Sequence, residues 1–228
     1  MNFGSFGASF GSFSSIGRKR FAGVFDGLAD HVDLTSVVTN GSAFEVEVVA
    51  KVIADLPTNG SDPTNLFFQG TYGSSSGVIQ CALRGGSFYK GILFRIGNGA
   101  GGYNEAKPDS DLTSTINDNL YHTYKYTFDG SDTMKVFFDG SEVGSKTSLT
   151  NPTFSSTSAK AIMNDVANNF GVSTKIRSHK VTVGGSVLNE FNFQANFGTT
   201  TLVDTSGNGN NGTITTGSGG LATFWGTV

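Results

Sequence analysis

From residue 21 onward, apolar and polar residues alternate with period two in short runs broken by Gly, Asn, Asp and Ser. The clearest run sets Phe44, Val46 and Val48 against Glu45 and Glu47. Residues i and i+2 of a strand share a face, so such a run offers one face to a core and one to water. The same reading predicts strands at Val24–Phe25, His31–Leu34, Asn65–Tyr72, Val78–Leu83, Ile92–Ile96 and Lys160–Met163. Others are predicted at Lys175–Val183, Val187–Phe193, Gly212–Thr216 and Ala222–Thr227. A hairpin is predicted from Tyr121–Phe128, the turn Asp129-Gly130-Ser131-Asp132, and Met134–Phe138, which turns again at Asp139-Gly140 into Glu142–Lys146. No amphipathic helix is visible; a short turn near Ser114–Asn119 comes nearest. Many short strands at regular spacing predict an all-β, antiparallel two-sheet β-sandwich of jelly-roll type.

Residues 1–20 break this pattern. Phe3, Phe6, Phe10 and Phe13 recur there, separated by Gly and Ser. Gly and Ser alone make a flexible linker. Four exposed phenylalanines would favour aggregation, so they are expected to be buried, either on their own domain or on a partner. The chain therefore divides into an extended N-terminal arm, 1–20, and a sandwich, 21–228. The arm is expected to anchor the protein to a neighbouring subunit or another protein. Arg18-Lys19-Arg20 follows the apolar stretch instead of preceding it, the reverse of a signal peptide. The expectation is synthesis in a cytoplasm without export.

Composition narrows the classes. A chain of 228 residues suits one large β domain. Charged residues make up 14%, against roughly 25% in an ordinary domain, and the net charge is −3. That balance argues against a nucleic-acid partner. Twenty phenylalanines supply a core. The single cysteine, Cys81, excludes an internal disulfide and a cysteine-based zinc site. The most apolar stretch, Phe44 to Leu56, is broken by Glu45, Glu47, Lys51 and Asp55, so no membrane insertion is expected.

Several motifs have a bland reading that outweighs the chemical one. Gly97/Gly99/Gly102 and Gly207/Gly209/Gly212 match G-x-G-x-x-G, but neither is followed by a helical pattern that would aim an N-terminus at a pyrophosphate. Glu45 and Glu47 share a strand face, yet a glucanase-like row of three acids is incomplete because Val49 occupies the third place. His31, His122 and His179 are too far apart for a zinc motif, and His122 is expected to pack or hydrogen-bond within its strand. Phe88, Tyr72, Tyr89, Tyr103 and Trp225 lie in or near loops where aromatic rings stack on sugars. Most aromatics of a sandwich are core, so they name no sugar site.

The residues carry a resemblance. Phe25-Asp26-Gly27-Leu28-Ala29-Asp30-His31-Val32-Asp33-Leu34 resembles the opening strand pair of laminin-G-like, concanavalin-A-like domains. Leu120-Tyr121-His122-Thr123-Tyr124 with Tyr126 to Gly130 resembles their WHHVAxTxDG segment, and Val136 to Gly144 their LYVDGxxVG segment. Lys175 to Val183 stands where the family's IDDVRIYN-like strand would be. Asp204-Thr205-Ser206-Gly207-Asn208-Gly209-Asn210-Asn211-Gly212-Thr213 is similar to the DSSGNGNHGT loop. The usual Trp is Tyr121 here, and the acidic pair is Thr174-Lys175. The resemblance implies a laminin-G/concanavalin-A-like sandwich. It also implies calcium as a candidate cofactor at loop edges, with Asp26, Asp30, Asp204 and Asn208 as candidate ligands and Asn210 beside them; hard cations take such oxygen donors.

Domains of this kind occur in tailed-phage virion proteins. The functional expectation is a non-enzymatic virion structural protein, a capsid decoration or a tail/fibre protein, adhering to glycans. Its partners would be other virion proteins reached through the arm, and a homo-oligomer is expected. The alternatives are a free-standing calcium-dependent carbohydrate-binding lectin and a glycoside hydrolase of glucanase-like fold.

Overall fold

The computed structural model describes residues 21–25, 30–36, 38–56, 63–70, 77–155, 160–163, 172–217 and 220–227. In chain order the first strands are β1 (Phe21–Phe25), β2 (His31–Leu34), β3 (Phe44–Val52), β4 (Thr64–Gln69), β5 (Ile79–Arg84), β6 (Gly91–Gly97) and β7 (Tyr103–Ala106). A helical turn, α1 (Thr113–Ile116), precedes β8 (His122–Phe128), β9 (Met134–Phe138), β10 (Ser141–Lys146) and β11 (Lys160–Ile162). Then come β12 (Thr174–Val183), β13 (Ser186–Asn192), β14 (Thr201–Leu202), β15 (Gly212–Thr215), α2 (Gly220–Phe224) and β16 (Trp225–Thr227).

These strands form two sheets. The first runs β10-β9-β8-β3-β12-β1-β16, with β13 also paired to β12. The second runs β14-β15-β2-β11-β4-β5-β6-β7. The first half of β12 pairs with β1 and its second half with β13. The described ladders are antiparallel, as the alternating pattern predicts for a sandwich with solvated outer faces.

The alternation read from the sequence decides what faces inward. Val46, Val48, Ala50 and Val52 of β3 are buried, while Glu45, Glu47 and Lys51 are half-exposed. The inward rows meet Ile79, Cys81 and Leu83 of β5 and Ile92, Phe94 and Ile96 of β6 in one core. Phe44 packs against Phe94, Phe128 and Phe154 with ring centroids 5.7–5.9 Å apart. Tyr126, fully enclosed, donates its hydroxyl to the Ala82 carbonyl at 3.2 Å, bridging the sheets. Each such large side chain contributes about 1.5–3 kcal/mol of burial.

Turn chemistry closes the hairpins. Asp129 Oδ1 accepts from the amides of Ser131, Asp132 and Thr133 at 2.8–3.1 Å. Asp139 and Gly140 both have positive φ, +47° and +81°, the requirement of a two-residue hairpin turn. Phe-Asp-Gly is thus a strand-end device at 128 and 138; the third copy, at 25, extends beyond the described residues.

Two strands exceed the sequence reading and one element corrects it. β7 and β14 are too short and too polar to show alternation, and only pairing with β6 and β15 defines them. The strand expected at Ala222–Thr227 begins at Trp225, after the short helix α2. That helix carries Phe224 into the core, 4.9 Å from Phe25. As expected, neither glycine motif opens a helix: Gly97 pairs with Tyr103 across a hairpin, and Gly212 starts β15.

Candidate functional site

Because Ile79, Cys81, Leu83, Ile92, Phe94 and Ile96 point into the core, the intervening residues of β5 and β6 point away from it. Strand register then sets Phe68 of β4, Gln80 of β5, Arg95 of β6 and Glu105 of β7 in one row across the outer face of the second sheet. Arg95 sits at the centre of this row. Its Nε and Nη2 both reach Glu105 Oε1 at 2.6 Å. Its Nη1 lies 3.5 Å from Gln80 Oε1, and Gln80 donates to Asn65 Oδ1 at 2.8 Å. Asn65 and Gln80 are buried, so these bonds satisfy groups that would otherwise be costly.

Aromatic rings flank the row. Tyr89, in the turn between β5 and β6, receives the Arg84 guanidinium 3.9 Å from its centroid and Arg95 at 5.6 Å. Its hydroxyl is 3.4 Å from Arg95 Nη2. Tyr103, two residues before Glu105 on the same face, lies 4.9 Å from the Arg95 guanidinium and is 37% exposed. Phe88, 57% exposed, stands edge-on to Tyr89 at 4.8 Å and carries the Lys107 ammonium over its ring at 3.2 Å. Arginine held over aromatic faces keeps its fork pre-organised.

A cavity of about 340 Å³ opens beside β7, lined by Asn98, Tyr103, Asn104, Glu105, Lys146, Ser148 and Thr150. That volume lies within the roughly 300–1,000 Å³ range of small-ligand sites. Its wall is pinned by reciprocal bonds of 2.9 Å between the Asn104 amide group and the Thr150 backbone. Beyond it, β10 passes close to the exit of β7. The Asp109 amide donates to the Val143 carbonyl at 2.9 Å. A Cβ at Gly144 would lie 2.0 Å from the Lys107 carbonyl oxygen, so only glycine permits that approach.

Other residues singled out by sequence lie elsewhere. Phe3, Phe6, Phe10, Phe13, Asp26 and Tyr72 fall outside the described residues. Trp225 is buried against Phe224, 5.0 Å away. Glu45 and Glu47 lie on the outer face of the first sheet, paired with Lys125 at 3.5 Å and Lys180 at 3.7 Å. Asp204 accepts four bonds at 2.8–2.9 Å, from the Glu190, Ser206 and Asn210 amides and the Ser206 hydroxyl. Burial opposes its charge, but those donors outweigh it and hold the carboxyl below its ordinary range. Asn208 and Asn210 donate their side-chain amides to the Val187 and Leu188 carbonyls at 2.6 and 2.7 Å. Asp30 accepts from the Gly217 amide at 2.8 Å. In this arrangement Asp204 closes its own loop and fastens it to β13. Among the described residues no three His, Cys, Asp or Glu side chains cluster to hold a metal.

The histidines are separate. His122 is clasped by Asp139 at 2.7 Å through Nδ1 and by Asp118 at 3.1 Å through Nε2. His179 is fully enclosed between Phe67 and Phe191. His31 lies 3.4 Å from Asp33. Tyr89, Tyr103 and Phe88 are among the loop aromatics visible in the sequence, whereas Gln80, Arg84, Arg95 and Glu105 are not distinguished there. The signal in the sequence is the set of polar residues interrupting the otherwise apolar runs of β5 and β6.

No family model matches this sequence, and no curated protein matches it. Solved structures match by shape. Full-length tailspike protein 2 of an Escherichia coli bacteriophage superposes with a TM-score of 0.52 at 12% identity, covering 71% of this chain and 25% of that one. Mouse laminin alpha1 chain, domains LG4-5, gives 0.49 at 14% identity, covering 74% and 42%. Domain 4 of a GH43 extracellular arabinanase from Geobacillus stearothermophilus, in complex with arabinotriose, gives 0.47 at 15% identity, covering 72% and 70%. The chain thus spans about a quarter of the tailspike and two fifths of the laminin fragment. The fold is a laminin-G/concanavalin-A-like β-sandwich, as the sequence motifs implied.

Proposed function

We propose that this β-sandwich is a non-catalytic carbohydrate-binding module, carried on a phage particle as a capsid decoration or tail/fibre protein. The observation that supports glycan binding is the row Gln80–Arg95–Glu105, flanked by Tyr89 and Tyr103, beside a polar cavity. A sugar offers an apolar C–H face and a rim of hydroxyls. An exposed tyrosine ring suits the face. Planar carboxylate and guanidinium groups, held from below by the buried Gln80, suit paired hydroxyls, because each presents two hydrogen-bonding atoms in a fixed geometry. Arg95 already engages Glu105 Oε1, so these two groups are oriented before any ligand arrives. That pre-organisation lowers the cost of binding.

The same geometry favours binding over hydrolysis. Glycoside cleavage uses two carboxyl groups flanking the bond. Among the described lining residues of the cavity Glu105 is the one carboxylate, and Arg95 neutralises it. The virion setting draws on the sequence resemblance and on a fold shared with a phage tailspike. In that setting, many weakly binding copies would act together through avidity.

A glycan array followed by calorimetric titration of the best glycan tests the binding site. Tyr103→Ala should weaken Kd at least about tenfold, or about 1.4 kcal/mol, with an unchanged melting temperature. Absence of any bound glycan, or a Tyr103→Ala variant that binds normally, would overturn it. Immunogold labelling of particles tests the setting separately: label over heads or tails supports it, and unlabelled particles leave a free-standing lectin.

A further inference from the structure

On the outer face of the first sheet, lysines meet glutamates. Lys125 reaches Glu45, Lys180 reaches Glu47 and Lys135 reaches Glu142, at 3.5, 3.7 and 2.8 Å. Near Tyr121, which directly precedes β8, the pattern reverses. Lys51 of β3 stands opposite Lys175 of β12 in the ladder. Like charges directly opposite one another destabilise a sheet. A bulge between Ile176 and Ser178 inserts Arg177 beside them, and bulges re-aim side chains. Arg177 lies over the Tyr121 ring, 3.6 Å from its centroid, and the Lys51 ammonium is 5.4 Å from the same ring. Neither Lys51 nor Arg177 has an acidic partner among the described residues. Burial, and then the charges of Lys175 and Arg177, push the Lys51 ammonium below the ordinary lysine range. The Tyr121 hydroxyl is covered and has no hydrogen-bond partner of sound geometry, although Arg177 lies close to it.

We propose that this corner is an oxyanion site for the carboxylate or sulfate groups of an acidic polysaccharide. Two cations, Arg177 and Lys51, converge on one aromatic ring without an acidic partner among the described residues, and a bound oxyanion turns their mutual repulsion into attraction. Arg177 supplies a planar fork matched to an oxyanion and held in orientation by stacking. Lys51 adds a point charge beside it. A nucleic acid or an anionic membrane calls for a broad basic stripe, whereas this chain carries a net charge of −3 and its neighbouring lysines on this face, Lys125, Lys135 and Lys180, are paired with glutamates. An acidic polysaccharide, with charges spaced along a neutral backbone, fits one compact site. The corner lies on the opposite sheet from the row centred on Arg95, so the two sites succeed or fail independently.

The test is native affinity electrophoresis of the full chain through gels containing polygalacturonate, dextran sulfate or uncharged dextran. The protein should be retarded by at least one polyanion, not by dextran, and less so as salt rises. Lys51→Gln and Arg177→Gln together should weaken that retardation at least about tenfold, and Tyr103→Ala should leave it intact. Lys51→Gln alone keeps the test valid should the double variant not fold; it should weaken binding and, by relieving repulsion, melt no lower than the parent. Wild-type mobility unaffected by either polyanion would overturn the proposal. So would variants retarded like the parent.

Discussion

Acidification should destabilise this protein through a single core side chain. His179 is fully buried, with Phe67 and Phe191 packed on it at centroid distances of 6.0 and 6.2 Å. Its ring nitrogens have no partner of sound hydrogen-bond geometry, although the Leu66 backbone lies near. Burial pushes its pKa down to about 3. In the unfolded chain an imidazole titrates near 6.5. Between those values the unfolded state binds a proton that the folded state refuses, so stability falls as pH falls, by about 1.36 kcal/mol per unit. At pH 4.5, two units below the unfolded value, the loss is about 2.7 kcal/mol, approaching a ceiling of about 5 kcal/mol near pH 3. Carboxylates held low, such as Asp204, also lose stabilisation on acidification. The measurement is therefore a difference. Urea unfolding of the parent and His179→Leu at pH 7 and 4.5 should show the parent losing about 2–3 kcal/mol more than the variant. Equal losses within about 0.5 kcal/mol would refute the reasoning, because they would mean that the folded core accepts the proton.

Three further predictions concern the loops. Burial opposes a charge on His122, but its bonds to Asp139 and Asp118 outweigh that and hold its pKa above the ordinary value. The clasp is at full strength below about pH 6.5 and is lost as pH rises through the folded value. The stability gap between the parent and His122→Gln should therefore be wider at about pH 5.5 than at about pH 9, and a gap that widens with pH would refute it. Asp204→Ala removes four acceptor bonds at once and leaves the Glu190 and Asn210 amides unmatched. It should cost about 2–4 kcal/mol in urea unfolding. Because both Asp204 oxygens are already engaged, melting points in calcium and in EDTA should agree within about 1 °C, and a rise of several degrees with calcium would show that the loop rearranges around the ion.

The strand faces were legible because alternation is local. Glu45-Val46-Glu47-Val48 states which side of β3 is wet, whatever the rest of the chain does. The turns were legible for a similar reason: Asp129 accepts from amides two to four residues on, and Asp139-Gly140 takes the positive φ of a two-residue turn. β7 was not legible. Tyr103-Asn104-Glu105-Ala106 shows no apolar period, and it is a strand only because β6 accepts it as a partner. His179 was hidden by the bulge after Ile176, which shifts the phase of β12 and turns a histidine inward where strict alternation would have kept it outside.

The sequence by itself determined the class of fold, the inward and outward faces of the longer strands and the turn chemistry between them. Each of these follows from the period of a strand and the φ preferences of a few residues. Tertiary structure alone decided which outward residues meet. Gln80, Arg95 and Glu105 are separated by 15 and 10 positions, and Lys51 and Arg177 by far more. What joins them is strand order, register and one inserted residue. Those are properties of paired backbones, and no single segment carries them.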